Sequence, residues 1–149
     1  MNVQQIPDED TLKRVATKLI EVMRVQDWDI TVHSVTGYEM YEESDNCTIE
    51  GCSRRDVKLN TADIYLNRES CIDWYETLIH ELIHVQATAL IHCAENYFGE
   101  THEYFRVINE QLTEKQAQII SKLYPLNKLE EDIAVIRKKK KPKTKGRPC

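Results

Sequence analysis

Two histidines and a glutamate stand at a spacing that suits a metal ion. His80, Glu81 and His84 form the pattern H-E-x-x-H. On an α-helix, residues four apart lie on the same face, so both imidazoles can bind one ion while the Glu81 carboxylate lies beside it. The pattern therefore predicts a zinc site at which a carboxylate can take a proton from an activated water.

The residues around the motif predict a helix over about residues 70–92. Ser70 and Asp73 offer a capping box at its start. The two histidines belong to a polar stripe between Thr77 and Thr88, and a shared metal would satisfy both rings at once. The apolar residues at helical spacing, which predict a separate face, are Leu78, Ile79, Leu82, Ile83, Val85, Ala89 and Leu90.

A catalytic zinc site usually takes three protein ligands and keeps a fourth position for water. The motif helix is expected to end within residues 95–100, and a second helix to begin at Thr101. If that helix folds back after a short turn, its first residues can face the histidine pair. His102 is the preferred third ligand, with Glu103 and then Glu100 as alternatives.

Two other histidines are poorer donors. His33 is predicted to point outward from a half-buried strand. His92 is eight residues beyond His84, which is about 12 Å along the same helix. Neither is expected to complete the site.

Residues 77–85, followed by His102 and a phenylalanine three residues later, resemble the SprT-like metallopeptidase domain, the zincin group that includes the Spartan proteases. That family carries an H-E-x-x-H helix and then a third histidine that opens a later helix. The resemblance implies that His80, His84 and His102 hold zinc. It also implies that Glu81 is the catalytic acid/base and that the substrates include DNA-associated proteins.

The expected function is that of a zinc metalloendopeptidase, which hydrolyses peptide bonds of a protein substrate through a zinc-activated water. An extended substrate is expected beside residues 63–66, or beside residues 57–60 if these form the outer strand. Tyr75, Tyr97 and Tyr104 are candidate donors to the oxyanion, and none is assigned. A di-iron carboxylate site is excluded, because it requires a second Glu-x-x-His and the chain has none.

Charge is distributed unevenly along the chain. Residues 137–149 carry eight Lys or Arg and no acid, which leaves 12 bases against 25 acids in residues 1–136. We expect residues 1–136 to form one zinc metallopeptidase-like domain and residues 137–149 to be a disordered basic tail. The tail could bind nucleic acid in a salt-dependent way, act as a nuclear address or have no specific role. The alternative function is a non-catalytic, zinc-stabilised nucleic-acid-binding or regulatory adaptor.

Composition agrees with one intracellular domain. At 149 residues the chain can bury a single core without staples. Neither a membrane span nor a secretory signal is expected, which indicates a cytoplasmic protein, or a nuclear one in a eukaryote. The cysteines, which are odd in number and read as free thiols in a reducing compartment, are Cys47, Cys52, Cys71, Cys93 and Cys149.

The predicted fold class is α+β, a small zincin-like domain. An N-terminal helix should pack over a short mixed sheet, followed by the metal-binding helix and C-terminal helices. The expected helices are residues 8–26, 70–92, 101–111, 114–123 and 126–136. The expected strands are residues 28–35, one or two within 47–60, and 62–67, with an acidic loop over 39–46.

Overall fold

The computed structural model describes residues 5–98 and 103–140, and the side chains of residues 5–92 and 107–136. Within these residues the chain is α+β, with five helices and a small mixed sheet, as the sequence predicted. In chain order the elements are α1 (Glu9–Val22), β1 (Asp29–Val35), α2 (Gly37–Ser44), β2 (Gly51–Asp56), β3 (Thr61–Asn67), α3 (Trp74–Phe98), α4 (Glu103–Leu123) and α5 (Leu126–Lys140).

The sheet has three strands in the order β1-β3-β2. The central strand β3 pairs with β1 in parallel and with β2 antiparallel, so β2 forms one edge of the sheet. Successive side chains of a strand point to opposite faces. The buried residues of β3 accordingly alternate with partly exposed Asp63 and Tyr65. We call the buried face of the sheet the inner face and the other the outer face.

The hydrophobic core lies between the inner face of the sheet and the helices. Helix α1 begins because the Asp8 side chain accepts a hydrogen bond from the Thr11 N–H at 3.0 Å. Ala117 of α4 and Leu129 of α5 are also fully buried in this core. The largest contributors from α1, β3 and α3 are Leu12, Val15, Leu19, Ile64, Leu66, Leu78, Ile79, Leu82 and Val85.

The acidic segment 39–46, predicted as a loop, is mostly helical and forms most of α2. Thr36 and Glu39 make a capping box, in which each side chain bonds the backbone N–H of the other residue. Met40 is fully buried and anchors the helix to the domain. The prediction failed because it weighed the acidic charge of the segment above its capping signal.

Helix α3 begins later than predicted and ends within the range of residues 95–100 expected from the sequence. Ser70 is not its cap, because its hydroxyl accepts from Asn67 Nδ2 instead. The Asp73 carboxylate accepts from the first backbone N–H groups of the helix, at 3.1 Å each. The helix extends past residue 92 to Phe98, and Leu90, predicted on the apolar face, is 74% exposed. Residues 86–92 of α3 therefore lie outside the buried core.

The C-terminal helices are also longer than predicted. Helix α4 is continuous over the two segments expected from the sequence. Helix α5 ends at Lys140, so the backbone of residues 137–140, predicted as the start of a disordered tail, is helical. The rest of that tail, residues 141–149, lies outside the described residues. None of the helices in the described part of the chain combines the length and apolar character that crossing a membrane requires.

Three cysteines lie among the described side chains, and all three are free thiols, as predicted. Burial raises the pKa of Cys52 and the pKa of Cys71 to about 11, because a thiolate loses hydration there. Cys47 is exposed. The side chains of Cys93 and Cys149 lie outside the described residues.

Candidate metal centre

Helix α3 holds the H-E-x-x-H motif in a fixed orientation. Leu78, Leu82 and Val85 are fully buried on its core side, so the helix cannot rotate without exposing them. The same packing aims His80 and His84 at the side of α3 that faces α4 rather than at the core. The predicted helix and its predicted polar stripe are therefore both present.

The two motif histidines converge on one point. Their Nε2 atoms are 3.0 Å apart, and the ring centroids are 4.7 Å apart at an interplanar angle of 69°. Two imidazolium rings would repel each other at this distance. A pair of neutral rings whose Nε2 atoms share one electrophile satisfies both nitrogens.

Helix α4 supplies a carboxylate to the same point. Glu110 Oε1 lies 3.4 Å from His84 Nε2, and Oε2 lies 3.6 Å from His80 Nε2. One ligand atom from each of the three residues lies within 4.8 Å of the others. Among the described residues, His80, His84 and Glu110 therefore form a group that could hold a metal ion.

The spacing of the three donors fits a small divalent ion. Zinc in a tetrahedral site lies about 2.0–2.1 Å from imidazole nitrogen and carboxylate oxygen, which places neighbouring ligand atoms about 3.3 Å apart. The Nε2–Nε2 separation of 3.0 Å and the shortest distances from each ring to the Glu110 carboxylate, 3.4 Å to Oε1 and 3.6 Å to Oε2, are close to that value. Two histidines and one glutamate also form one of the ligand sets of catalytic zinc sites, in which a fourth position stays open.

The environment of the group differs from one donor to the next. The His84 side chain is only 10% exposed, whereas that of Glu110 is 55% exposed. Burial lowers the pKa of His84, although the Glu81 and Glu110 carboxylates act in the opposite direction. His84 therefore favours the neutral form that binds metals, and the group opens to solvent on the side of Glu110.

Glu81 lies beside the donor group and is not part of it. The residue is only 6% exposed, and its Oε2 accepts a hydrogen bond of 2.8 Å from the hydroxyl of Ser53 on β2. A buried carboxylate needs such a partner to offset its lost hydration. The structure thus keeps the motif carboxylate next to His80 and tied to the edge strand.

Strand β2 packs against α3 through side chains on its inner face. At Gly51, a Cβ atom would lie 2.7 Å from Thr77 Cγ2, so the close approach of strand and helix depends on the glycine. Arg55, four residues along the strand, donates to the His84 carbonyl and the Thr88 hydroxyl, at 3.2 Å each. These contacts lie on either side of the Ser53 bond.

A cleft of about 380 Å³ runs from the motif towards the start of α3. Both His80 and Glu81 line it. Among the described side chains its lining contains no Lys or Arg, and its other acidic side chains are Glu50, Asp73, Glu76 and Glu114. A ligand in this cleft would meet negative potential directly beside the candidate metal centre.

The prediction of which strand borders the cleft was wrong. Residues 63–66 lie in the central strand β3, which is paired on both sides, and residues 57–60 form the turn between β2 and β3. The strand next to the motif helix is β2, with Gly51 in the cleft lining. The prediction failed because strand order depends on pairing between distant segments.

The predicted third ligands fall at the limit of the described structure. Glu100 and His102 lie outside the described residues. Glu103 begins α4, and its side chain is also outside the described set. Its backbone lies about 10 Å along the helix from that of Glu110, as seven helical residues require.

Glu110 was not among the residues proposed from the sequence. The signal that could have found it is the length of α3, which continues for 14 residues beyond His84. A helix that returns alongside α3 must run several turns before it reaches the motif. The sequence prediction ended the motif helix within residues 95–100, but it considered donors only at the start of the next helix.

The remaining candidates are placed away from the centre. His33 lies on the outer face of the sheet, with Nε2 3.1 Å from Asp63 Oδ1, and His92 is exposed on α3. The Tyr75 hydroxyl donates to the Tyr124 carbonyl at 2.7 Å, which gives it a structural partner. The side chains of the other two tyrosines considered as oxyanion donors, Tyr97 and Tyr104, lie outside the described residues.

Comparison with known proteins found no matching family model, no similar curated protein and no similar solved structure. The SprT-like resemblance of residues 77–85 stays a prediction from the sequence. What the chain itself provides is a His-His-Glu group that could hold a metal ion, with a buried carboxylate beside it.

Proposed function

We propose that this protein is a zinc-dependent metallopeptidase that hydrolyses peptide bonds of a protein substrate. His80, His84 and Glu110 would hold the zinc ion, and Glu81 would act as general base and then as general acid. SprT-like proteases are the family that the motif resembles, so proteins bound to DNA are the first substrates to consider. An intracellular location belongs to the same proposal.

The observation that carries the proposal is the convergence of three donors beside a separate carboxylate. His80 Nε2 and His84 Nε2 are 3.0 Å apart, and Glu110 approaches both from another helix. A metal that served only to hold the fold would more often take four protein ligands. Three donors among the described side chains, partial exposure of Glu110 and an adjoining cleft favour a centre that admits substrate.

The chain's own residues would divide the chemistry between them. Zinc, when bound, would supply the Lewis acidity that activates a water and polarises the scissile carbonyl. Glu81, with Oε2 engaged by Ser53, can use its other oxygen to take the proton of the attacking water. The same carboxyl group would then deliver that proton to the leaving amine.

Strand β2 is the expected partner of the substrate backbone. It is an edge of the three-stranded sheet, and its inner face packs on α3 close to Glu81. An extended peptide can pair with such an edge through main-chain hydrogen bonds. The acidic cleft next to it would favour peptides with Lys or Arg near the scissile bond.

The direct test is metal-dependent hydrolysis of an unfolded protein. We expect the purified chain to cleave fluorescein-labelled casein, to lose this activity on treatment with a chelator, and to regain it on addition of zinc. The expected gain over the metal-free protein is at least about 1000-fold. Zinc-loaded protein that leaves casein and a panel of DNA-binding proteins intact would contradict the proposal.

A second candidate is a zinc-stabilised nucleic-acid-binding or regulatory protein without catalysis. The concentration of eight basic residues in segment 137–149 favours it. Its affinity for a DNA duplex would fall steeply with salt and would be unchanged in Glu81→Gln. Binding of this kind together with absence of cleavage would select this candidate.

A further inference from the structure

The hydrogen bond between Ser53 and Glu81 links the edge strand to the proposed general base. The two residues are 28 positions apart in sequence, and the hydroxyl lies 2.8 Å from Glu81 Oε2. Ser53 is half-buried on the inner face of β2, opposite Ile64 of β3. The contact is therefore produced by the tertiary fold and not by the local sequence of the motif.

A glutamate side chain needs external contacts to hold one orientation. It has three rotatable torsions, and the last of them is broad, so helix geometry alone leaves the carboxylate free to turn. Burial to 6% exposure limits how many water molecules can compete for Glu81. The Ser53 hydroxyl then fixes one carboxylate oxygen and leaves the other for a reactant.

The neighbouring contacts hold the serine itself in place. The lack of a side chain at Gly51 lets β2 approach Thr77, and Arg55 binds the His84 carbonyl. These two contacts bracket position 53 along the strand. The hydroxyl is thus presented to Glu81 from a backbone that α3 holds on both sides.

We propose that Ser53 is a positioning residue for Glu81. Its hydroxyl holds the carboxylate beside the His80, His84 and Glu110 donor group and out of the ligand set itself. This inference rests on the proposed peptidase function and deepens it. The residue that orients the general base would then belong to β2, the same edge strand that would bind the substrate.

The test compares Ser53→Thr with Ser53→Val in the full-length, zinc-loaded chain. These variants have nearly the same shape and differ in the hydroxyl, so strain from the larger side chain affects both alike. We expect Ser53→Val to lower kcat on labelled casein by about 10- to 100-fold, the range typical of a misplaced catalytic group. Ser53→Thr should stay within about threefold of the wild type, and KM should change little in both.

Ser121→Ala provides the matched control. Ser121 Oγ also donates to a carboxylate that lines the cleft, that of Glu76, at 3.4 Å. Removing this hydroxyl should leave kcat unchanged. Zinc content should be equal in all three variants, because neither Ser53 nor Ser121 belongs to the donor group.

The outcomes separate the two proposals. An active wild type in which Ser53→Val and Ser53→Thr have equal kcat would overturn the role of Ser53 alone. Loss of zinc in Ser53→Val would also overturn it, because the serine would then support the metal site and not the base. A zinc-loaded wild type that cleaves no substrate would overturn the proposed function together with this role.

Discussion

Two histidine–carboxylate clusters lie on opposite sides of the sheet and differ in what they can do. On the outer face, His33 Nε2 meets Asp63 Oδ1 at 3.1 Å, and the His33 ring stacks on Tyr65. On the inner side, His80, His84 and Glu110 bring three donors together. Both clusters contain the residue types that bind zinc.

The difference lies in the number of donors and in burial. The outer pair has two donors, and its side chains are 39% and 47% exposed. Water competes for such groups, and exposed contacts between polar side chains contribute little to stability. In the inner cluster His84 is nearly buried and the donors come from two helices, so a metal would meet a prepared site. Residue type thus identifies candidates, and the fold decides between them.

The largest effect should come from the carboxylate beside the inner cluster. Glu81→Gln removes the proposed base and keeps the size of the side chain. We expect the rate of casein hydrolysis to fall by about 100- to 10,000-fold, which is the typical contribution of general acid–base catalysis. Zinc content by elemental analysis should remain at the wild-type value. A variant that keeps the wild-type rate would remove the role of Glu81.

The next largest difference should be in zinc affinity, when one histidine of each cluster is replaced by glutamine. His84→Gln should lower zinc affinity by more than the roughly 10- to 100-fold that outer-shell partners contribute. His33→Gln, the matched change in the outer pair, should leave affinity and hydrolysis unchanged. Zinc titration against a competing chelator measures both. An equal loss of zinc affinity in the two variants would contradict the assignment of the metal site to the inner cluster.

The stability of the metal-free protein should depend on pH because His84 is buried. Because burial lowers the pKa of His84, the folded chain binds that proton less tightly than the unfolded chain, whose histidines titrate near pH 6.5. Stability should therefore be complete above about pH 6.5 and fall as pH decreases towards the lower folded value, by at most about 1.4 kcal/mol per pH unit.

Urea denaturation between pH 8 and pH 5 in the presence of a chelator measures this slope. In His84→Gln the free energy of unfolding should depend less steeply on pH, because the contribution of His84 is lost. Parallel curves for the wild type and His84→Gln would mean that the His84 proton is bound equally in both states. The comparison of a buried and an exposed cluster would then lose its electrostatic basis.

The smallest effect should come from the charge of the cleft. Peptides with Lys or Arg beside the scissile bond should have a higher kcat/KM than matched peptides with Glu. Glu114→Gln should reduce this preference by about two- to fivefold, because the carboxylate is exposed and partly screened. A preference that does not change in Glu114→Gln would show that this part of the cleft does not contact the peptide.

Features that depend on nearby residues could be read from the sequence. The motif histidines share a face because they are four residues apart, and the burial of Leu78 and Leu82 follows from helical periodicity. The helix α2 was equally readable from Thr36 and Glu39, although its acidic composition pointed to a loop. Fold class followed from the order of these local elements.

Features that join distant segments could not be read in this way. Glu110 reaches the histidines because α3 is long and α4 packs alongside it. Ser53 reaches Glu81 because β2 lies at the sheet edge beside α3. Neither the packing of one helix on another nor the strand order is specified by a local pattern. The inner donor group was thus half predictable, with the histidine pair given by spacing and the carboxylate by packing.

The most direct test of the proposed centre is zinc content per chain in the wild type, Glu110→Ala, Glu114→Ala and His102→Ala. Glu114 stands one turn beyond Glu110 on α4, so its substitution controls for the loss of an acid from the same helix. We predict about one zinc in the wild type and in Glu114→Ala, and loss of zinc in Glu110→Ala after dialysis against a chelator. Full zinc retention in Glu110→Ala with loss in His102→Ala would contradict the His80–His84–Glu110 centre and assign the third ligand to His102.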